Sequence, residues 1–279
     1  MVKILRIRQL APNVKEYVFD APKVVRNAHP GQFVMVLLSE DGERVPFTIC
    51  DMDKEKGELT LLIQTIGYTT SELAKLKPGD SVFAIAGPLG HPTDLSKYEN
   101  VCLVGGGIGT AVIYPQAKSR MQQGKPCDVI VGAKTKDLIM YEDEFKANSK
   151  NLYIVTDDGS YGTQGFVTTK LEERIQAGAN YDCVFAVGPM IMMKVVSELT
   201  KKYGIKTIVS MNSTMVDGTG MCGGCRLTVD GQIKYACVDG PEFDGHLVAF
   251  DESMNRSRYY KEHEHNCYIR NSEIGKEGK

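Results

Sequence analysis

The chain lacks an excess of charge of either sign: 33 Lys and Arg against 35 Asp and Glu leave −2 at pH 7, which removes any electrostatic reason to expect a nucleic-acid or anionic-membrane partner. It lacks a long apolar run, since nothing approaches the roughly 18 residues that a membrane span needs. The opening stretch MVKILRIRQL is broken by Lys3, Arg6 and Arg8, so it has no apolar signal-peptide core, and a cytoplasmic protein is expected. The eight cysteines lack the spacing of a disulfide framework: Cys50, Cys102, Cys127 and Cys183 stand apart, whereas Cys222, Cys225 and Cys237 crowd within sixteen residues. Cys102 and Cys183 lie in apolar runs and read as small buried hydrophobes. No internal repeat is present.

What is there reads as two textures and a coda. Residues 1–97 carry short strand-like runs (NVKEYVFDA, GQFVMVLL, GELTLLIQTI, DSVFAIAGPLG) between Gly/Pro turns, with one helical piece, TSELAKL. That pattern predicts a β-barrel or sandwich. From 98 to 210, apolar strands alternate with helices such as TTKLEERIQ and MIMMKVVSELTKKYG, which predicts an α/β domain with a parallel sheet. Pro115 is expected to kink the helix TAVIYPQAKSRMQQ. Residues 211–250 form a Gly- and Cys-rich lobe, and 251–279 a polar tail.

Several loops have the chemistry of ligand seats. LVGGGIGT (Gly105, Gly106, Gly107, Ile108, Gly109, Thr110) ends a strand and opens a helix, where free N–H groups favour an electron-rich group. Its glycines are not spaced as in the G-x-G-x-x-G fingerprint. TDDGSYGTQG, with Asp157, Asp158 and Gly159, reads equally as a ligand loop or an ordinary turn. Gly188, Pro189 and Met190 repeat the strand–Gly–helix design, with Met190, Met192 and Met193 read as core filler. In the first part, Arg44, Pro46, Phe47 and Thr48 put a cation, a flat apolar surface and a hydroxyl on one strand. Ile63, Gln64, Thr65, Gly67, Thr69 and Thr70 precede or open a helix, as an N-cap or a pyrophosphate seat.

VDGTGMCGGC carries the sharpest pattern. Asp217, Cys222, Cys225 and Cys237 match the x₄, x₂ spacing with a distant fourth ligand of a plant-type [2Fe–2S] loop, with Asp at the first position. Gly218, Gly220, Gly223 and Gly224 let a backbone wrap a cluster. A zinc site would prefer a second Cys-x-x-Cys or a His pair, and a redox dithiol would open a helix. Cys267 is the rival to Asp217 as fourth ligand; HEHNC (263–267) reads as a solvated or partner-facing tail before a metal site.

Barrel, nucleotide sheet and cluster lobe in that order resemble the ferredoxin reductase-like electron-transfer family over essentially the whole chain. Two of its branches are similar: the electron-transfer subunit of dihydroorotate dehydrogenase, and the small subunit of the electron-bifurcating NADH-dependent ferredoxin:NADP⁺ oxidoreductase. The resemblance implies that RVPFT and IQTIGYTT hold FAD, that GGGIGT, TDDGSYGTQG and GPM hold NAD(H), and that the lobe holds a [2Fe–2S] cluster. The family pattern Arg-x-aromatic-Ser/Thr places its Arg where Val45 stands; Arg44 comes one residue earlier. Asp217 and the long tail favour the bifurcating branch, which implies a larger flavoprotein partner carrying FAD and [4Fe–4S] clusters, and ferredoxin reached through that complex. Asp157 and Asp158 disfavour a 2′-phosphate while Lys134 and Lys136 attract one, so the choice between NAD and NADP stays open.

Overall fold

The computed structural model describes residues 1–258; Cys267, HEHNC and the rest of the chain beyond 258 lie outside the described residues. The first part contains β1 (Val2–Ala11), β2 (Val14–Asp20), the short α1 (Pro22–Val25), β3 (Phe33–Leu37), β4 (Arg44–Thr48), β5 (Asp51–Asp53), β6 (Glu58–Gln64), α2 (Tyr68–Leu73), β7 (Ser81–Val82) and β8 (Ala84–Leu89). They form two antiparallel sheets, β5-β6-β2-β1-β7 and β4-β3-β8, which close around a single apolar cluster. Strand alternation builds it: Leu59, Leu61 and Ile63 of β6 and Val34 and Val36 of β3 all point inward. Phe33 and Met35, on the opposite face of β3, join a second core that belongs to the rest of the molecule.

The second part contains β9 (Val101–Gly106), α3 (Thr110–Gln122), β10 (Asp128–Ala133), α4 (Glu142–Ala147), β11 (Asn151–Thr156), β12 (Thr163–Gln164), α5 (Val167–Gln176), β13 (Cys183–Val187), α6 (Met190–Lys202) and β14 (Lys206–Ser210). The strands run in the order β12-β11-β10-β9-β13-β14, all parallel, so the direction of winding reverses between β9 and β13. Beyond the carboxyl ends of strands at such a reversal a crevice opens, the usual ligand site of an open α/β sheet. β9 and β13 are buried at every position, as strands covered on both faces must be. Pro115 is buried inside α3, which runs unbroken from Thr110 to Gln122.

The lobe contains a hairpin of β15 (Arg226–Val229) and β16 (Gln232–Tyr235), then α7 (Ala236–Asp239) and β17 (Glu242–Asp244). β17 leaves the lobe and pairs antiparallel with β14, becoming the seventh strand of the sheet. Where the sequence suggests a polar tail, the chain forms α8 (Phe250–Arg258), with Asp251 and Glu252 in its first turn and Arg256 and Arg258 in its last, the charge placement that suits a helix dipole. Among the described residues, no helix is long and apolar enough to cross a membrane.

Candidate functional site

At the sheet reversal, Gly105 lies level with Val187, and the two strands pass into their loops side by side. A Cβ on Gly109 would sit 2.2 Å from the Val187 carbonyl oxygen, so the glycine is what lets α3 start against β13. Gly105 and Gly106 meet Ile113 and Met192, and Gly188 also lies against Met192. Gly107 is different: its φ is +55° and a Cβ there would meet nothing within 4 Å. Four of these glycines therefore serve packing, and Gly107 alone faces open space in a conformation L-residues disfavour. Ile108 packs on the core and Thr110 is buried. Across the reversal Pro189 is exposed; Met190 and Met192 rest on the core and Met193 is fully inside it.

The loop after β11 is held from within. Thr156 donates its hydroxyl to the Tyr161 carbonyl at 2.7 Å and accepts the Tyr161 N–H at 3.1 Å. Asp158 accepts the Ser160 hydroxyl at 2.6 Å and its amide at 2.9 Å, and these bonds hold its carboxyl below the usual range. Asp157, Asp158 and Gly159 are exposed, as are Lys134 and Lys136 on the neighbouring loop. The Lys136 amine lies 5.1 Å from the centre of the Tyr161 ring.

On the barrel, β4 pairs with β3 so that Thr48 faces Phe33, Pro46 faces Met35 and Arg44 faces Leu37. Arg44, Pro46 and Thr48 therefore share the face turned away from the barrel interior, and Arg44 is exposed. Phe47 lies opposite Val34 and packs on the barrel core. Ile63 is buried in that core, with Gln64 half-buried after it. Thr65 donates its amide to Asn13 at 2.8 Å. Thr70 accepts the N–H groups of Ile66 and Gly67, each at 3.0 Å, and α2 starts two residues earlier than TSELAKL suggests. Thr69 is buried and donates to Glu43 at 3.0 Å. Gly67 stands in open space between exposed Ile66 and Tyr68.

In the cysteine loop two sulfurs lie together, and Asp217 is tied to the backbone of Cys222. The Cys225 and Cys237 sulfurs are 3.3 Å apart and buried, too far apart for a disulfide, which requires about 2.05 Å. Burial, with Cys225 alongside, pushes the Cys237 thiol above its usual range. Asp217 accepts the Thr219 amide at 2.5 Å and the Cys222 amide at 2.7 Å, and these bonds hold its carboxyl below the usual range. Cys222 is exposed and accepts the Gly224 amide at 3.4 Å. Among the described residues no three His, Cys, Asp or Glu side chains converge on one ion-sized point. A buried sulfur pair with a third thiol and a carboxylate on the same loop is donor chemistry that suits a two-iron group, which takes ligands at two metals.

Gly218 explains where this loop lies. Its φ is +79°, and a Cβ would come within 2.8 Å of Met35 and 3.1 Å of Leu89. The loop therefore rests on β3 and β8, beside the face that carries Pro46 and Thr48. Nothing in the spacing of the cysteines marks Met35 or Leu89 as its seat. Glu142, which accepts the Tyr161 hydroxyl and so braces the loop after β11, and its neighbour Tyr141, which faces the barrel, also escape a reading by motif, although GSYG places Tyr161 in a turn.

Family models match three successive stretches of the chain. The oxidoreductase FAD-binding domain matches residues 1–93, the oxidoreductase NAD-binding domain residues 103–198, and the iron–sulfur cluster binding domain of dihydroorotate dehydrogenase B residues 212–249. The chain is an oxidoreductase with FAD-, NAD- and iron–sulfur-binding parts. A Thermotoga maritima homologue of the dihydroorotate dehydrogenase B electron transfer subunit is 44% identical over 268 residues, 96% of this chain and 94% of that one. The Bacillus mycoides electron transfer subunit is 33% identical over 251 residues, 86% and 94% of the two chains. A solved structure described as the NADH-dependent reduced ferredoxin–NADP oxidoreductase, a flavin-based electron-bifurcating enzyme, superposes with a TM-score of 0.91 at 42% identity, covering 97% of each chain. The chain belongs to the ferredoxin reductase-like family that includes the electron transfer subunit of dihydroorotate dehydrogenase B.

Proposed function

We propose that this chain is the electron-transfer subunit of an electron-bifurcating NADH-dependent ferredoxin:NADP⁺ oxidoreductase, exchanging hydride between NAD(H) and FAD and single electrons with a [2Fe–2S] cluster. The observation that carries it is the seat of the cysteine loop: Gly218 rests on Met35, which faces Pro46 across the sheet, so cluster loop and flavin strand meet on one face of the barrel. Bound FAD supplies the exchange between a two-electron donor and a one-electron acceptor. The chain's own residues bind and orient. Arg44, Pro46, Thr48 and the Gly67–Thr70 turn hold the flavin nucleotide; Phe47, Ile63 and Gln64 shape the wall behind it. Gly107 opens the seat for NAD(H), with Asp157 and Asp158 at the ribose end. Asp217 with Cys222, and Cys225 with Cys237, hold the cluster.

The partner in this reading is a larger flavoprotein with FAD and [4Fe–4S] clusters, forming a heterodimer in the cytoplasm and reaching ferredoxin through it. The structural likeness at 42% identity favours this assembly. The 44% relative favours the second reading, a subunit serving an NAD-dependent dihydroorotate dehydrogenase. Anaerobic purification of the native complex tests both. Bifurcation predicts FAD, a two-iron signal and a partner rich in additional iron. A partner with FMN and no further iron supports the second reading, and a colourless protein carrying one zinc overturns both.

A further inference from the structure

Tyr141 is the residue the reading above does not use and the backbone does not explain. It has φ 60° and ψ 27°, a left-handed conformation that a bulky side chain adopts only when its surroundings impose it. It is buried between the two large parts of the molecule, its ring edge-on to Tyr114 at 4.9 Å, with the Arg8 guanidinium 5.5 Å from its centre. Its hydroxyl donates to Glu16 of β2. Beside it lies the thiol of Cys50, two residues beyond Thr48 of the flavin strand. Burial keeps both the phenol and the thiol protonated.

Two further contacts cross the same boundary. Arg8 bridges Glu16 and Glu144, at 2.9 Å and 2.7 Å, joining β1 and β2 to α4. Lys118 of α3 pairs with Asp51 at 2.7 Å, one residue after Cys50. On its other side, the turn at Tyr141 hands the chain to Glu142, which accepts the Tyr161 hydroxyl at 2.7 Å from the loop after β11. Adjacent residues thus grip opposite sites, Tyr141 the barrel next to the flavin strand and Glu142 the loop that carries Asp157 and Asp158. A relaxed backbone at 141 would turn one of the two side chains away.

We propose that Tyr141 is a positioning residue: it registers the dinucleotide loop on the flavin strand and so sets how closely the nicotinamide approaches the flavin. The proposal rests on the NAD(H)–FAD reading for its effect on rate, but its structural part stands without it. Proximity gives such a residue leverage, since small misplacements of reacting groups cost large factors in rate while leaving binding intact.

Tyr141→Phe removes one oxygen and keeps the ring. In the full-length chain without nucleotide, hydrogen exchange is expected to quicken in Val45–Cys50 of the barrel as well as in residues 134–142. In the FAD-loaded chain, rapid mixing with NADH is expected to show a limiting flavin-reduction rate lower by about fivefold or more, with the NADH dissociation constant held within about twofold. Glu16→Leu, which removes the acceptor and leaves Tyr141 in place, should give the same two changes, and Tyr114→Phe neither. Exchange confined to residues 134–142, or an unchanged limiting rate in both variants, overturns the proposal. A wild-type protein that NADH does not reduce refutes the function instead, and the exchange result then decides the positioning role alone.

Discussion

Two glycines two residues apart, Gly107 and Gly109, should respond oppositely to the same added methyl group. At Gly109 the backbone is ordinary, with φ −59°, so alanine is conformationally acceptable there. The obstacle is steric: the new Cβ would lie 2.2 Å from the Val187 oxygen, 2.6 Å from its carbonyl carbon and 2.9 Å from the Gly188 nitrogen. All three are backbone atoms of β13 or its exit, so no rotamer relieves the overlap, and the strand must move by about 1 Å to restore contact distance. Overpacking of this kind costs about 3 kcal/mol, which lowers the melting temperature by roughly 6–12 °C in a chain of this size. At Gly107 a methyl group meets nothing within 4 Å, and the cost is the left-handed φ alone, about 1–2 kcal/mol. That methyl projects into the open mouth of the crevice, so Gly107→Ala should weaken NAD(H) binding by about tenfold, or 1.4 kcal/mol. Thermal unfolding of the full chain, followed by circular dichroism, together with titration by NADH, measures both. A Gly109→Ala protein melting at the wild-type temperature, or a Gly107→Ala protein that is the less stable of the two, would refute the assignment of one glycine to packing and the other to the ligand.

Three other perturbations read different parts of the molecule. Asp217→Cys is expected to retain two irons with an altered reduction potential, and Asp217→Ala to lose iron or hold it loosely. Unchanged spectra in both would remove Asp217 from the ligand set. Among the described residues Glu242 has both carboxyl oxygens buried without a partner, and burial raises its pKa from 4.5 to about 8. A folded-state pKa above the unfolded one means the folded chain holds the extra proton. Stability is therefore full below about 4.5 and declines as pH rises towards about 8. Glu242→Gln should flatten that decline, and a melting profile with the same slope in both proteins counts against it. Asp157→Asn with Asp158→Asn removes two exposed charges, each worth about 1 kcal/mol against a nearby phosphate, so relative use of NADPH should rise by about fivefold or more. An unchanged NADH/NADPH ratio would place the ribose elsewhere.

The elements that periodicity describes best were legible without coordinates. Leu59, Leu61 and Ile63 announce β6 by alternation, and the unbroken apolar runs at 101–104 and 183–187 announce strands covered on both sides. The cysteine spacing likewise placed three thiols in one lobe. What escaped was set by partners distant in sequence or by single bonds and charges that periodicity does not register. β17 is three residues long, with Glu and Asp at its ends, and is a strand only because β14 offers an edge. The first turn of α2 depends on the Thr70 hydroxyl reaching back to two amides, a bond that shifts the start of the helix away from its apolar residues. α8 carried a usable signal, acids first and bases last, beneath a composition that reads as a solvated tail. The left-handed turn at Tyr141 has no local signature, because aromatic residues there are held by what surrounds them.

The distances on which electron transfer depends are set here by packing rather than by linkers. Phe33 and Met35 of the barrel, Val104 and Ala186 of the sheet, and Cys225 and Cys237 of the lobe all belong to one continuous buried cluster. The lobe's β17 is stitched into the sheet, and the His91 amide, just beyond β8, donates to the Gly240 carbonyl at 2.7 Å. A lobe joined at both ends to a shared core cannot swing as an independent module. Its cysteines keep a fixed relation to the barrel face that bears Pro46 and Thr48. The opposite boundary, between barrel and α3–α4, adds charged and hydrogen-bonded contacts, Arg8–Glu144, Lys118–Asp51 and Tyr141–Glu16, to an apolar cluster in which Ala11, Val14, Cys50 and Leu62 of the barrel pack with Ile113, Tyr114 and Phe145 of the helices. Barrel, sheet and lobe are therefore tied by buried cores on both sides, and their relative placement is set by packing throughout.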